Sequence, residues 1–461
     1  MRNAPSTLSF GEKLGYGLGD TASNFFFQVF NLFLLYYYTD VFGLAPAAVG
    51  TMFLVTKIVD AVSDPLMGLV ADRTETRWGK FRPWLLFCAI PYGLCGYAMF
   101  AGPDLSETGR LIYAYVTYTA MMLAYTLINV PYSALMGVIS PSSIERTSVS
   151  GFRFACAFGA GWLIATFVTP LKTVLGGGDE ALGFRLTMAL FAVISIGLFW
   201  VTFATTRERV RPPPQSTDVR ADFAALLANG PWIALFFSGV FALMNVAVRA
   251  GGTLYFFKYF VGDDGSPLFW ILDRTAVFLS LSTLGMLVGI GLTQRMLRHF
   301  DKRTLMIGLT VANGISMACF FVIPPDQYVL MVVVSFVGAV LSGPTPVLVW
   351  SMYADCADYG EWRSGRRTTA LVFSASQFAQ KLGLAVGAGL SGWILSLYGF
   401  VANADQSDEA MLGIRLMFSV FPAVLAFLSA AAILFYRLDG ATVARMETEL
   451  AERRAGAPVP A

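Results

Sequence analysis

The chain has 461 residues, 56% of them hydrophobic and only 13% charged, with a mean hydropathy of +0.63. A soluble domain carries roughly twice that charged fraction, so composition excludes a soluble globular protein. The formal net charge of +2 gives no reason to expect a nucleic-acid partner.

A run of about 20 apolar residues crosses the roughly 30 Å hydrocarbon layer as a helix, and such runs recur along the whole chain. They predict an all-α membrane protein with twelve transmembrane helices, at about 12–38, 46–71, 82–101, 109–139, 148–174, 184–206, 231–260, 270–294, 304–324, 328–354, 369–398 and 412–436. Phe10–Tyr38 is too long for a cleavable signal and lacks a small-residue cleavage site, so it reads as the first span. That span carries Asp20, Asn24, Gln28 and Asn31 at spacings of four, four and three, one polar stripe on an aromatic helix. Such a stripe suits a water-filled cavity, where amides bond sugar hydroxyls as donor and acceptor.

The second span places Asp60 and Asp64 one turn apart on one helical face. An ionisable group at the bilayer centre costs roughly 2.5–3.5 kcal/mol on insertion scales. Two adjacent carboxylates in low dielectric repel, so the pair needs a cation or a proton. Either sodium or a proton fits. The fourth span adds Tyr125, Thr126 and Asn129 ahead of Pro131, whose missing N–H leaves a carbonyl one turn back without its donor. Arg153 enters the fifth span.

The stretch Arg207–Asn229, with Pro212-Pro213-Pro214 at its heart, is the one long polar interruption. A proline run cannot continue a helix and reads as an extended linker. The expected plan is therefore a six-helix bundle over 1–206, a cytoplasmic linker over 207–229, a second six-helix bundle over 230–437 and a cytoplasmic tail over 438–461. Two such blocks in parallel are the plan of the major facilitator fold. In the second block Arg249 sits mid-span with Asn245 one turn earlier, and Gln377 and Lys381 lie one turn apart.

Five scattered cysteines and the single histidine, His299, offer no metal-type spacing and no Ser-His or Cys-His pair. No enzyme, no resident metal and no cofactor is expected. Lys and Arg gather in alternate connectors, at Arg73–Arg82, Arg207–Arg220, Arg295–Arg303 and Arg363–Arg367. By the positive-inside rule both termini are cytoplasmic.

The strings Tyr36-Tyr37-Tyr38-Thr39-Asp40, Asp60 to Arg73, Arg77-Trp78-Gly79-Lys80-Phe81-Arg82-Pro83-Trp84, Asn129-Val130-Pro131-Tyr132 and Ala354 to Trp362 resemble the glycoside–pentoside–hexuronide:cation symporters. The likeness runs from about residue 10 to residue 440. It implies a bacterial inner-membrane carrier, a monomer in the lipid bilayer, that couples a monovalent cation to a small sugar or glycoside. By position, Asp60 and Asp64 match the family's cation-binding acids, and Thr126 matches a cation-site hydroxyl. Arg153 matches an arginine of the sugar site, and Lys381 a lysine facing the central cavity. Asn24 and Asn129 stand where galactoside carriers of the family have acids, and Ser133 where they have a stacking aromatic. The galactoside clamp is thus absent, and sodium is no longer assured.

The expected set is Asp60, Asp64, Thr126 and Asn129 for the cation. For the substrate it is Asp20, Asn24, Gln28, Tyr125, Asn129, Arg153, Arg249, Gln377 and Lys381. Asp72, Arg73, Arg77, Arg295, Asp355 and Asp358 are assigned to a cytoplasmic gate. A lysolipid carrier of the same fold and a non-transporting sugar sensor are the rival readings.

Overall fold

The structure is a computed structural model that describes residues 8–140, 143–209, 226–364 and 369–455. Its described elements run in chain order as α1 (Phe10–Leu32), α2 (Leu34–Tyr36), a π-helical turn (Tyr37–Val41), α3 (Pro46–Arg73), α4 (Arg82–Phe87), α5 (Ala89–Ala98), α6 (Glu107–Val138), α7 (Ser143–Gly176) and α8 (Glu180–Thr205). After the linker come α9 (Gly230–Tyr255), a second π-helical turn (Phe256–Val261), α10 (Arg274–Met296), α11 (Lys302–Cys319), α12 (Tyr328–Ser342), α13 (Pro344–Ser364), α14 (Thr369–Leu397), α15 (Asp408–Phe418), α16 (Val420–Leu434) and α17 (Gly440–Ala455). These fall into twelve helical runs at the expected spans, followed by a tail helix. Seven of the described helical runs are long and apolar enough to cross a membrane.

Local chemistry sets the ends. Ser9, Ser106, Asp179, Asp273 and Asp301 each take a backbone N–H three residues on, at Glu12, Gly109, Leu182, Ala276 and Thr304. These are N-caps that satisfy donors a helix start leaves open. The tenth span breaks between Ser342 and Pro344, since proline brings no N–H to continue the ladder. Its second piece, α13, then runs on to Ser364, past the expected end at residue 354. The eighth span begins at Arg274 rather than residue 270, after a turn in which Trp270 has φ +55°.

Contacts group the described residues into two compact units. The first lies within Met1–Pro214, Thr253–Ser280 and Gly389–Gly413, and the second within Gln215–Gly252, Leu281–Ala388 and Ile414–Ala461. The first unit holds the six earlier spans and two later stretches. At one end it is tied by Lys13–Glu145 at 3.0 Å and by the bidentate Arg209–Glu12 pair. The second unit has its own core, in which Trp232, Leu309, Met352, Tyr353 and Ile433 are buried together. Trp232 donates its indole N–H to Ser376 at 3.1 Å. Pro212, Pro213 and Pro214 and most of the expected linker lie outside the described residues, so the two-bundle division remains a proposal.

Candidate functional site

The acids of the second span and the hydroxyl of the fourth meet inside the first unit. The Thr126 hydroxyl on α6 lies 3.1 Å from an Asp60 carboxylate oxygen and 3.0 Å from one of Asp64, both on α3. Asp60 is 3% exposed and Asp64 half-buried. Ser63 Oγ donates to the Asp60 carbonyl at 3.0 Å and approaches Thr126 Oγ1 at 3.4 Å. Lys57 Nζ stands 4.0 Å from Asp60, one turn earlier on the same helix, at the outer limit of an ion pair. Two like charges that share one hydroxyl proton in a buried place are held only by a positive neighbour or a proton.

Asn129 sits one turn beyond Thr126, but its amide is engaged elsewhere. It accepts from Ser23 Oγ at 2.7 Å and donates to the Tyr125 carbonyl at 3.1 Å. Asn24 and Asn31 likewise donate back to the carbonyls of Asp20 and Phe27 on their own helix, both at 2.9 Å. The polar stripe on α1 therefore presents chiefly Asp20, Gln28 and the free amide oxygens. Gln28 packs over Gly161 of α7. Asp20 faces Arg153, with Nε–Oδ2 and Nη2–Oδ1 both at 3.5 Å. These are long contacts for a charged pair. Arg153 also lies 5.3 Å from the centre of the Tyr132 ring. Tyr132 stacks on Tyr16 at 4.6 Å, and each hydroxyl donates to the other's backbone carbonyl. Tyr125 packs between Phe27 and Tyr92.

The second unit holds the remaining expected substrate residues. Arg249 donates to the Phe418 carbonyl at 2.8 Å, with its guanidinium 4.8 Å from the Phe320 ring centre and 4.2 Å from that of Phe418. Gln377 is exposed and Lys381 half-buried on α14.

At the Arg-rich turns, Asp355 pairs with Lys302 of its own unit at 2.7 Å. Arg77 is exposed and stacks on Trp78 at 4.2 Å. Arg295 is exposed at the end of α10, and Asp358 lies on α13. The side chains of Asp72 and Arg73 lie outside the described set. Sequence reasoning gave no role to Glu208, yet the backbone N–H groups of Lys80, Phe81 and Arg82 converge on its carboxylate at 2.8–3.1 Å. Successive backbone amides make such a nest for an anion. Gly79 has φ +109°, and a Cβ there would strike Glu208 at 2.5 Å. That explains the glycine in the Arg-Trp-Gly-Lys string. Ser63 and Lys57 were missed for a similar reason, since a serine and a lysine within a helix signal nothing until the acids they face are known.

The helical plan and this intramembrane acid pair define a membrane carrier, and the comparisons with known proteins agree. Residues 15–440 match the family described as MFS/sugar transport protein, so the chain belongs to that family and is a transporter, not an enzyme. It is 38% identical to the inner membrane symporter YicJ of Escherichia coli over 92% of this chain and 90% of that one. It is 37% identical to the putative glycoside/cation symporter YagG of the same organism, over 97% and 96%. With the isoprimeverose transporter of Lactiplantibacillus pentosus it shares 34% identity over 93% and 88%. Among solved structures, the nucleoside transporter NupG superposes with a TM-score of 0.62 at 15% identity, over 93% of this chain and 99% of the other. That likeness shows the fold.

Proposed function

We propose that this carrier moves a sugar or glycoside into the cell together with sodium or a proton, and that Asp60, Asp64 and Thr126 hold the cation. The observation that carries the reading is the Thr126 hydroxyl within hydrogen-bond reach of both carboxylates. An oxygen cage of two acids and a hydroxyl suits a small hard cation, and the same acids accept a proton. Ser63 Oγ stands beside it, 3.4 Å from the Thr126 hydroxyl. A bound cation relieves the repulsion between the acids and takes over the charge balance that Lys57 lends Asp60.

The sugar end of the site is assigned to Asp20, Gln28, Tyr125 and Arg153, with Asn24 and Asn129 shaping it through their helix bonds. Arg249, Gln377 and Lys381, which belong to the second unit, are also proposed as substrate residues. The long Asp20–Arg153 contact is one that a substrate hydroxyl can replace, donating to the acid and accepting from the base as the two move apart. Hydroxylated substrates of this kind are what YagG and the isoprimeverose transporter are named for. The inner gate is proposed to involve Asp72, Arg73, Arg77, Arg295, Asp355 and Asp358, and both termini to lie in the cytoplasm.

The test is uptake in right-side-out vesicles from a panel of labelled glycosides, with sodium and proton gradients imposed separately. One gradient is expected to drive accumulation, and Asp60→Asn and Asp64→Asn each to lower it at least tenfold. Full uphill uptake in both variants would remove the pair from the mechanism.

A further inference from the structure

The two π-helical turns end the first and seventh spans in the same way. Each follows a tyrosine, Tyr36 or Tyr255, and each is succeeded by a glycine in the left-handed region, Gly43 at φ +74° and Gly262 at φ +73°. At one constant offset Tyr36 matches Tyr255, Thr39 matches Lys258, Asp40 matches Tyr259 and Gly43 matches Gly262. The turns are thus copies of one device, and both belong to the first unit.

They also grip each other as copies. Thr39 Oγ1 lies 2.6 Å from the Tyr255 hydroxyl, and Lys258 Nζ donates to the Tyr36 hydroxyl at 3.0 Å. Residue i touches j while its copy touches the copy of j, which is the rule of a two-fold contact. At the centre is Asp40, whose side chain has no exposed surface. It accepts from Lys258 at 2.9 Å and from the Tyr259 hydroxyl, the residue at its own matching position. Asn403 spans the seam, taking Lys258 at 2.7 Å and donating to the Asp40 carbonyl at 2.6 Å. A cavity of about 330 Å³ reaches Tyr36 and Lys258 from one side, so water meets the lysine while the carboxylate stays sealed.

We propose that these paired π-turns are the outer gate of the carrier, and that Asp40–Lys258 is the bond whose breakage opens it. The pair lies at the end of the first unit away from Lys13–Glu145 and Arg209–Glu12. A π-turn carries one residue more than an α-turn and recurs at functional sites, because the chain can take that residue up or release it without melting the helix. A buried carboxylate paired in charge with a partly exposed lysine is sensitive to anything that draws the lysine away. Separation along a two-fold seam frees the Tyr36, Thr39, Lys258 and Tyr255 contacts together, so the gate opens as one step.

The proposal deepens the transport reading, since a gate has meaning only in a carrier, yet its test needs neither sugar nor cation. Thr253→Cys, 4% exposed and on α9 just before the second π-turn, is the reporter, in a background with the five native cysteines replaced by Ala. A membrane-impermeant maleimide is applied to right-side-out vesicles. Labelling is expected to be at least tenfold faster with Asp40→Asn or Lys258→Met, and within threefold of the parent when Asp40→Lys and Lys258→Asp are combined. Asn403→Ala, on an exposed loop with no buried charge at stake, is expected to speed it about threefold. Single variants that elute as folded monodisperse protein and label at the parental rate would overturn the proposal. So would an unchanged rate in Asn403→Ala.

Discussion

At the scale of single residues, the chemistry depends on acids held where acids are costly, and the structure separates two ways of holding them. Asp60 and Asp64 share the Thr126 hydroxyl, the place proposed for a cation, whereas Asp273 is held by its helix. It caps α10 by accepting the Ala276 N–H at 2.7 Å and is 3% exposed. Burial pushes its carboxyl up to about 6, the Ala276 amide pulls it back, Asp263 raises it and Lys172 lowers it. The usual value is near 3.8, so the folded chain keeps this proton more tightly than the unfolded chain. Stability from this group is complete below the unfolded pKa and is lost as pH rises towards 6, with a difference of roughly 3 kcal/mol at most. Asp273→Asn keeps the capping acceptor and has no proton to lose. It is expected to melt above the parent at pH 7.5 and level with it at pH 4, read by thermal unfolding in detergent. Parallel melting curves at both pH values would show that Asp273 does not titrate in this range.

At the scale of elements, the tail shows how far a pattern alone could be read. The sequence after Arg437 reads as a short amphipathic or frayed helix, and the structure makes it α17, docked rather than frayed. Met446 and Leu450 are 1% and 3% exposed, and Trp362 of α13 donates to Glu449 at 2.7 Å. The i, i+4 pair Met446 and Leu450 was visible, but the surface that receives it was not. Burial of each of these side chains contributes about 2–4 kcal/mol. Met446→Ala with Leu450→Ala is therefore expected to free the helix and to speed tryptic cleavage at Arg445 at least tenfold. Cleavage at the parental rate would mean that the docked face contributes little. The π-turns were legible in a different degree. Tyr36 to Asp40 drew notice as a family string, but nothing local marks the turn as π-helical or names Lys258 as its partner. That pairing needs two helices more than two hundred residues apart to be brought to one place.

At the scale of the whole molecule, twelve spans were legible because the solvent imposes them. Hydrocarbon admits only apolar runs of a set length, so spans can be counted from composition even where Gly343–Pro344 or Cys88 divides one into two helices. The acid pair was legible for the same reason, since Asp60 and Asp64 stand out against apolar neighbours. Asn129 fits a ligand by type and by place on α6, but the bond its oxygen accepts from Ser23 of α1 was not legible.

Coupling itself is a property of the whole chain, and thermodynamics fixes its form. If bound cation tightens sugar by some factor, sugar tightens cation by that same factor. A tenfold effect corresponds to about 1.4 kcal/mol, within reach of relieving one carboxylate repulsion. Equal factors from calorimetry run in both orders would only confirm the cycle, so the informative measurement is how the factor changes on substitution. Thr126→Ala removes the hydroxyl that joins the two acids and is expected to bring the factor close to one. Arg153→Lys loosens the grip on Asp20 and is expected to weaken sugar binding at least tenfold while the factor is preserved. The reverse pattern, with coupling lost at Arg153 and kept at Thr126, would place the energetic link on the sugar side of α1 and leave the acid pair as packing.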